Sequence, residues 1–207
     1  MSSFGGKFIV LDGPDGAGKS TQTQLLAAAL VDRGQRVLTV RDPGGTAIGD
    51  KIREILLDNA HTSMAVNTEV LLYMASRAQL YAEKIKPALN AGDCVISDRW
   101  LTSTLAYQAV AGKIGTAAVL AIAEAALARP WPDLTCLIDL PADAGLQRVG
   151  QVKDRMENKG TEFHEAVRQA FFDLAQSRKD FVVVDGTGSI DQIHQAILSA
   201  VTEKITT

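Results

Sequence analysis

Cysteine is scarce, with Cys94 and Cys136 the only two in 207 residues. Both lie in apolar runs, which excludes a disulfide framework or a cysteine-rich zinc site and marks them as small buried hydrophobes in a reducing compartment. The three histidines, His61, His164 and His194, are scattered and show no metal-ligand spacing. Positive charge is not in surplus: 21 basic against 24 acidic residues leave a net charge of -3. That supplies no broad basic surface for a nucleic-acid backbone, so no nucleic-acid partner is expected. No apolar run approaches the ~18 residues needed to cross a bilayer. The segment Met1 to Lys7 lacks the basic-then-apolar succession of a signal peptide. A soluble, cytoplasmic protein without a membrane partner is the expectation. Against these absences stand 46% hydrophobic and 22% charged residues, enough to bury a substantial core. With ~150 residues per domain as a guide, one domain over 1–207 carrying an insertion is expected rather than two domains.

Short apolar runs alternate with longer helix-period segments, the pattern of a parallel sheet covered by helices on both faces. The strands are expected at Phe8 to Asp12, Arg36 to Arg41, Cys94 to Asp98, Leu134 to Leu140 and Phe181 to Asp185. Most are continuous rather than alternating, as burial on both faces requires. Helical spacing covers Ser20 to Arg33, ending at Gly34, and Ile48 to Leu57. A long helix capped by Asn67 should end near Gly92. Thr116 to Ala128, Phe163 to Gln176 and Ile190 to Ile205 complete the helical set. From Gly150 to Thr161 the apolar period fails and the chain reads as a charged, mobile flap.

Gly13-Pro14-Asp15-Gly16-Ala17-Gly18-Lys19-Ser20 fits the phosphate-loop pattern G-x-x-x-x-G-K-[ST] and sits between an expected buried strand and an amphipathic helix. Glycines let backbone N–H groups curl around phosphate oxygens, and the helix N-terminus adds positive potential. Lys19 neutralises charge and Ser20 can hold Mg²⁺. A GTPase or other nucleotide-driven binding module would also need a guanine-reading N-K-x-D segment, and Asn158-Lys159-Gly160-Thr161 lacks the carboxylate. Asp42-Pro43-Gly44-Gly45 and Asp185-Gly186-Thr187-Gly188 both fit the loose D-x-x-G pattern, which carries little weight.

Four further clusters follow: Arg41-Asp42-Pro43-Gly44-Gly45-Thr46, Tyr73-Met74-Ala75-Ser76-Arg77, Ser97-Asp98-Arg99-Trp100 and Ser103-Thr104-Leu105-Ala106-Tyr107-Gln108. With the phosphate loop, in this order and spacing, they resemble thymidylate kinase over roughly Phe8 to Asp185. The resemblance implies an α/β P-loop NTPase fold, with a five-stranded parallel sheet, helices on both faces and a mobile lid at approximately 149–161. It implies phosphorylation of dTMP to dTDP with ATP and Mg²⁺, in a homodimer packed through helices. The Ala-rich Thr116 to Ala128 segment would permit close helix approach.

Carried over residue by residue, the resemblance gives Lys19, Asp98, Arg99 and the lid arginine Arg155 the catalytic roles. Gly13, Pro14, Asp15, Gly16, Ala17, Gly18, Lys19, Ser20, Thr21 and Arg148 bind ATP, and Ser20 and Asp98 form the magnesium environment. Arg41 and Arg99 hold the acceptor phosphate, and Pro43 shapes the turn beside the nucleotide. Tyr73 stacks on thymine, Arg77 reaches its O4, and Ser103 or Thr104 meets the thymine edge. Asp15 points at the 3′-hydroxyl, while Tyr107 and Gln108 wall the sugar and base, Tyr107 crowding the place of a 2′-hydroxyl. Trp100 departs from the Tyr or His usual in the family, though its ring can still pack against the strand end. The phosphate loop has no arginine, so the lid must supply one, and Arg148, Lys153 and Arg155 are all candidates. Taken singly, these residues have plainer readings: Arg41 as a surface partner of Asp42, Asp98 as a helix cap, Tyr73 as core. Another nucleoside monophosphate kinase, or a deoxynucleoside kinase, is the closest alternative function.

Overall fold

The computed structural model describes residues 4–150 and 153–206. Five strands, β1 (Phe8–Asp12), β2 (Val37–Arg41), β3 (Cys94–Asp98), β4 (Leu134–Asp139) and β5 (Phe181–Asp185), form one sheet in the order β2-β3-β1-β4-β5. Every pair is parallel. All five expected strands are present, β2 starting one residue later and β4 ending one residue earlier than the apolar runs suggested.

Burial explains the order. The central strands β1 and β3 are buried at every residue, whereas β2 and β5, the two edges, are largely half-buried or exposed. Alternation within β1 divides the core: Ile9 and Leu11 pack with Leu26 and Leu30 of α1 (Lys19–Val31) and with Ile193, Ile197 and Val201 of α9 (Ile190–Thr206). Phe8 and Val10 face the other way, onto Val70 and Met74 of α3 (Val66–Leu80) and Val119 and Ala123 of α6 (Thr116–Ala126). A third cluster joins Leu137 and Phe181 to Val167, Ala170 and Phe171 of α8 (Thr161–Ser177). Each fully buried Ile, Leu, Val or Phe contributes about 1.5–3 kcal/mol by leaving water, so this two-sided packing holds the sheet.

Among the described residues the remaining helices are α2 (Ala47–Leu57), α4 (Lys86–Asn90), α5 (Leu101–Thr104), α7 (Ala142–Arg148) and a single 3-10 turn, Asn59–His61. A π-helical segment, Tyr81–Ile85, joins α3 to α4, and a second, Leu105–Ala111, continues α5. Asn67 is not the cap of α3: the helix begins at Val66, Ala65 flanks it without a side-chain hydrogen bond, and Asn67 lies in the first turn. Apolar periodicity did not mark 101–111 as helical, because Ser103, Thr104, Tyr107 and Gln108 interrupt it and face a cleft.

Register sets the level of that cleft. Leu11 and Arg41 both pair with Asp98, and Asp12 pairs with Leu137, so the carboxyl ends of four adjacent strands finish together.

Candidate active site

At this edge lies a cleft of about 360 Å³. One wall is the phosphate loop between β1 and α1. Its glycines are required by close approach: a Cβ on Gly16 would stand 2.1 Å from the Gly145 carbonyl oxygen of α7, and one on Gly145 would stand 2.3 Å from the Asp15 carbonyl oxygen. Gly18, at φ 87°, turns the chain into α1. Lys19 is buried and donates to the Pro14 carbonyl at 2.6 Å across its own loop. Burial and then the neighbouring Arg99 push its ammonium down to about 8, against the opposite pull of Asp15, Asp98 and Asp12. Ser20 and Thr21 are exposed at the start of α1, and the Ser20 hydroxyl donates to Asp98 Oδ2.

Arg99 follows β3 in the left-handed backbone region, φ 71°, where a non-glycine residue is held only by surrounding contacts. That turn aims its guanidinium into the cleft, where it donates to the Gly13 carbonyl at 2.9 Å, to Ser103 Oγ at 3.0 Å and to Asp15 Oδ1. Tyr107 completes the cluster: its hydroxyl donates to Asp15 Oδ2 at 2.7 Å, and the Arg99 guanidinium lies 5.4 Å from its ring centroid. Burial alone would push the Asp15 carboxyl up, but Arg99, Lys19 and the Tyr107 hydroxyl outweigh it and hold the group below its ordinary value. Beneath them Asp12 accepts from the Gly13 N–H at 2.9 Å and from the Ser103 hydroxyl at 2.6 Å. Burial pushes the Asp12 carboxyl up despite Arg99 and these hydrogen bonds.

The opposite end of the cleft is walled by Tyr73 and Arg77, four residues apart on α3, with Thr104 and Gln108 across from them. Arg77 is 1% exposed and pairs with Asp42 Oδ2 through Nε at 2.7 Å and Nη2 at 2.6 Å. Nη2 also reaches the Trp100 carbonyl at 3.2 Å and Thr104 Oγ1 at 3.0 Å. Nη1 has the Met74 sulfur at 3.4 Å, a weak acceptor, and so is the nitrogen best able to donate to a ligand. Asp42 is thus the partner of Arg77, and Arg41 is exposed on the cleft rim.

Most of the expected site residues meet in this cleft: Asp15, Gly16, Gly18, Lys19, Ser20, Thr21, Arg41, Pro43, Tyr73, Arg77, Asp98, Arg99, Ser103, Thr104, Tyr107, Gln108 and Arg148 all line it. Gly13, Pro14 and Ala17 are buried behind the loop. Of the pair Ser103 and Thr104, the Ser103 hydroxyl is engaged by Asp12 and Arg99 at the phosphate-loop end, and the Thr104 hydroxyl lies beside Arg77. Trp100 is fully buried, edge-on to Phe8 at 5.1 Å, with Nε1 donating to the Pro130 carbonyl at 2.8 Å.

Arg155 stands apart from these residues. Its guanidinium turns away from the cleft, donating from Nε to the Leu56 carbonyl at 2.9 Å and from Nη1 to Glu69 Oε1 at 2.6 Å. Its own N–H binds the Leu57 carbonyl at 3.1 Å. A guanidinium buried to 6% exposure goes where a carboxylate meets it, and here that is α3. Met156 beside it packs in the third core cluster, so this part of the expected flap is seated. Gln151 and Val152 of the expected lid lie outside the described residues. Arg148, exposed at the end of α7, lines the cleft and donates to the Gly186 carbonyl at 3.3 Å.

Arg53 was missed. It lines the cleft and donates to the Pro43 carbonyl at 3.0 Å. Burial, then Arg41, lowers the pKa of its guanidinium. Among neighbours such as Asp50, Lys51 and Glu54 it reads in sequence as one more solvated helix charge.

A glycine loop wrapping a phosphate site at the carboxyl edge of a parallel sheet defines the P-loop class of nucleotide-binding proteins, and the arginines facing it suit phosphoryl transfer. The thymidylate kinase family model matches residues 11–197, and the chain belongs to that family. It is similar to the thymidylate kinase of Thermosipho africanus, 43% identical over 195 residues, with 94% of this chain and 96% of that one covered. The thymidylate kinase of Fervidobacterium nodosum is 41% identical over 192 residues, covering 92% and 96%. Among solved structures, the crystal structure of thymidylate kinase from Ehrlichia chaffeensis matches with a TM-score of 0.79 at 26% identity, covering 94% of this chain and 98% of that one.

Proposed function

We propose that this enzyme transfers the γ-phosphoryl group of ATP to the phosphate of dTMP, yielding dTDP and ADP in dTTP synthesis. The observation that carries the reading is a single cleft with Lys19 and Ser20 at one end, Tyr73 and Arg77 at the other, and Arg99 between them. The acceptor oxygen already carries charge near neutral pH, so no strong general base is needed. The task is to align two anions and offset their repulsion. Lys19 does so on the donor side, Arg41 and Arg53 on the acceptor side, and Arg99 where they meet. Arg148 is the lid-side cation in this reading, since Arg155 faces away. Asp98 and the Ser20 hydroxyl form a hard oxygen pair suited to Mg²⁺, which supplies charge neutralisation on the phosphates when bound. The whole chain acts as one cytoplasmic domain in this reading. A homodimer through α6 is supported by its exposed alanine face, Ala117, Ala118, Ala121 and Ala125, which lets a second helix approach closely.

A coupled assay of the purified protein across acceptors tests the activity. The expected order of kcat/KM is dTMP, then dUMP, then dCMP and UMP. Losing the C5 methyl should cost about 1–3 kcal/mol. A cytosine amino group would face the Arg77 guanidinium, leaving two donors unsatisfied. Tyr107, pinned by Asp15, is expected to exclude a 2′-hydroxyl. UMP used as well as dTMP would sink the role of Tyr107, and thymidine preferred over dTMP would sink the enzyme assignment.

Lys19 gives a pH signature. Donor phosphate arriving at its ammonium favours the charged form and raises the value of about 8 found in the free cleft. The free protein therefore loses this proton as pH climbs through that value while the complex keeps it. ATP binding should take up close to one proton at about pH 9 and far less at about pH 7, with affinity falling as pH rises between them. Calorimetry in buffers of different ionisation enthalpy reads the uptake directly, and equal heats at the higher pH would remove Lys19 from the donor site.

A further inference from the structure

Glu69 lies on α3 one turn before Tyr73, with its carboxylate 2% exposed. Both oxygens are engaged by groups far away in sequence: Oε1 accepts from Arg155 Nη1 at 2.6 Å, and Oε2 accepts from Gln108 Nε2 at 3.1 Å. Lys159 adds positive charge at 3.9 Å from Oε1. A carboxylate can only accept, whereas a glutamine amide has one donating and one accepting end. Glu69 therefore meets Gln108 through its NH₂, and the carbonyl is the end Gln108 has for the cleft it lines. Arg155, itself anchored on Leu56, keeps the carboxylate from turning.

We propose that Glu69 is a specificity-determining positioning residue: held by Arg155, it fixes the polarity of the Gln108 amide so that the cleft offers an acceptor to the ring N–H of a 4-keto pyrimidine. A 4-amino pyrimidine presents a bare ring nitrogen at that position and meets acceptor against acceptor. The proposal rests on the reading that the Tyr73, Arg77 and Gln108 end takes the base of dTMP. It gives Arg155 a role consistent with its place, as the anchor of Glu69.

Glu69→Gln is the test, because it keeps the shape and changes one atom from acceptor to donor. With Arg155 present, the new amide must turn its oxygen to the guanidinium and its NH₂ to Gln108. Gln108 then answers with its carbonyl and shows NH₂ to the cleft. The ratio of kcat/KM for dTMP to that for dCMP is expected to fall at least about tenfold, the scale of one reversed hydrogen bond. The change should come from a higher KM for dTMP and a lower one for dCMP. In a Gln108→Met background the same substitution should move the ratio by less than about twofold, since the coupling partner is gone. A cooperatively melting Glu69→Gln protein with a wild-type ratio overturns the proposal, as does an equal fall in both backgrounds. Should Glu69→Gln fail to melt cooperatively, Gln108→Met alone decides: its ratio is expected to fall, and an unchanged one overturns the proposal. Wild-type protein inert toward dTMP would instead refute the functional reading, and that is measured first.

Discussion

Arg99→Ala is expected to lower turnover by about 10²–10³-fold, the scale of removing one preorganised donor aimed at developing charge. The structure adds a reason why lysine should not rescue it. Arg99 spans Gly13, Ser103 and Asp15 at once from a backbone turn that few residues adopt, and only a planar fork can make such divergent contacts. Arg99→Lys should therefore remain within about tenfold of the alanine variant. Steady-state kinetics with dTMP and ATP separate the possibilities. A raised KM for dTMP with unchanged kcat would move Arg99 from transition-state stabilisation to ground-state binding.

Asp42→Ala should be among the most destabilising single changes in the chain. Asp42 and Arg77 are buried together, at 0% and 1% side-chain exposure, and two guanidinium nitrogens share one carboxylate oxygen. Removing the carboxylate leaves an uncompensated charge against Trp100, at a cost of about 3–5 kcal/mol. For a chain of this size that lowers Tm by roughly 10 °C. Replacing both residues, as in Asp42→Ala with Arg77→Met, should restore much of the loss, because an apolar pair carries no desolvated charge. Thermal melts of the single and double variants measure both effects. A single variant within about 1 kcal/mol of wild type would mean that water reaches Arg77 when its partner leaves.

The strands were legible because burial on both faces writes itself as unbroken apolar runs, as in Phe8 to Leu11 and Cys94 to Ile96. The phosphate loop was legible because one chemistry constrains nearly every position in it. Local spacing says much less about how separate segments meet. Asp42 follows Arg41 directly, yet successive residues leaving a strand point to opposite sides, and Asp42 goes to α3. A charged segment such as 153–160 shows its cations in sequence but not the side to which each turns; contact with Leu56 and Glu69 decides that for Arg155. Glu69 itself left no signal, since its partners are 39 and 86 residues away. The resemblance to a family supplied the ordered set of clusters, while packing decides the side to which its lid arginine turns.

The π-helical segment Leu105–Ala111 bears on which changes of chain length the enzyme can accept. A π turn holds more residues than an α turn, so it behaves as an insertion absorbed within a helix. Deleting one residue between Leu105 and Gln108 would let the segment rewind as ordinary α-helix with both ends in place. The residues between the deletion and Ala111 would nonetheless turn by up to about 100°, carrying the Gln108 amide off Glu69. A relative one residue shorter here could match this chain in residue types, keep the same sheet and core, and still have lost the wall against which the base rests.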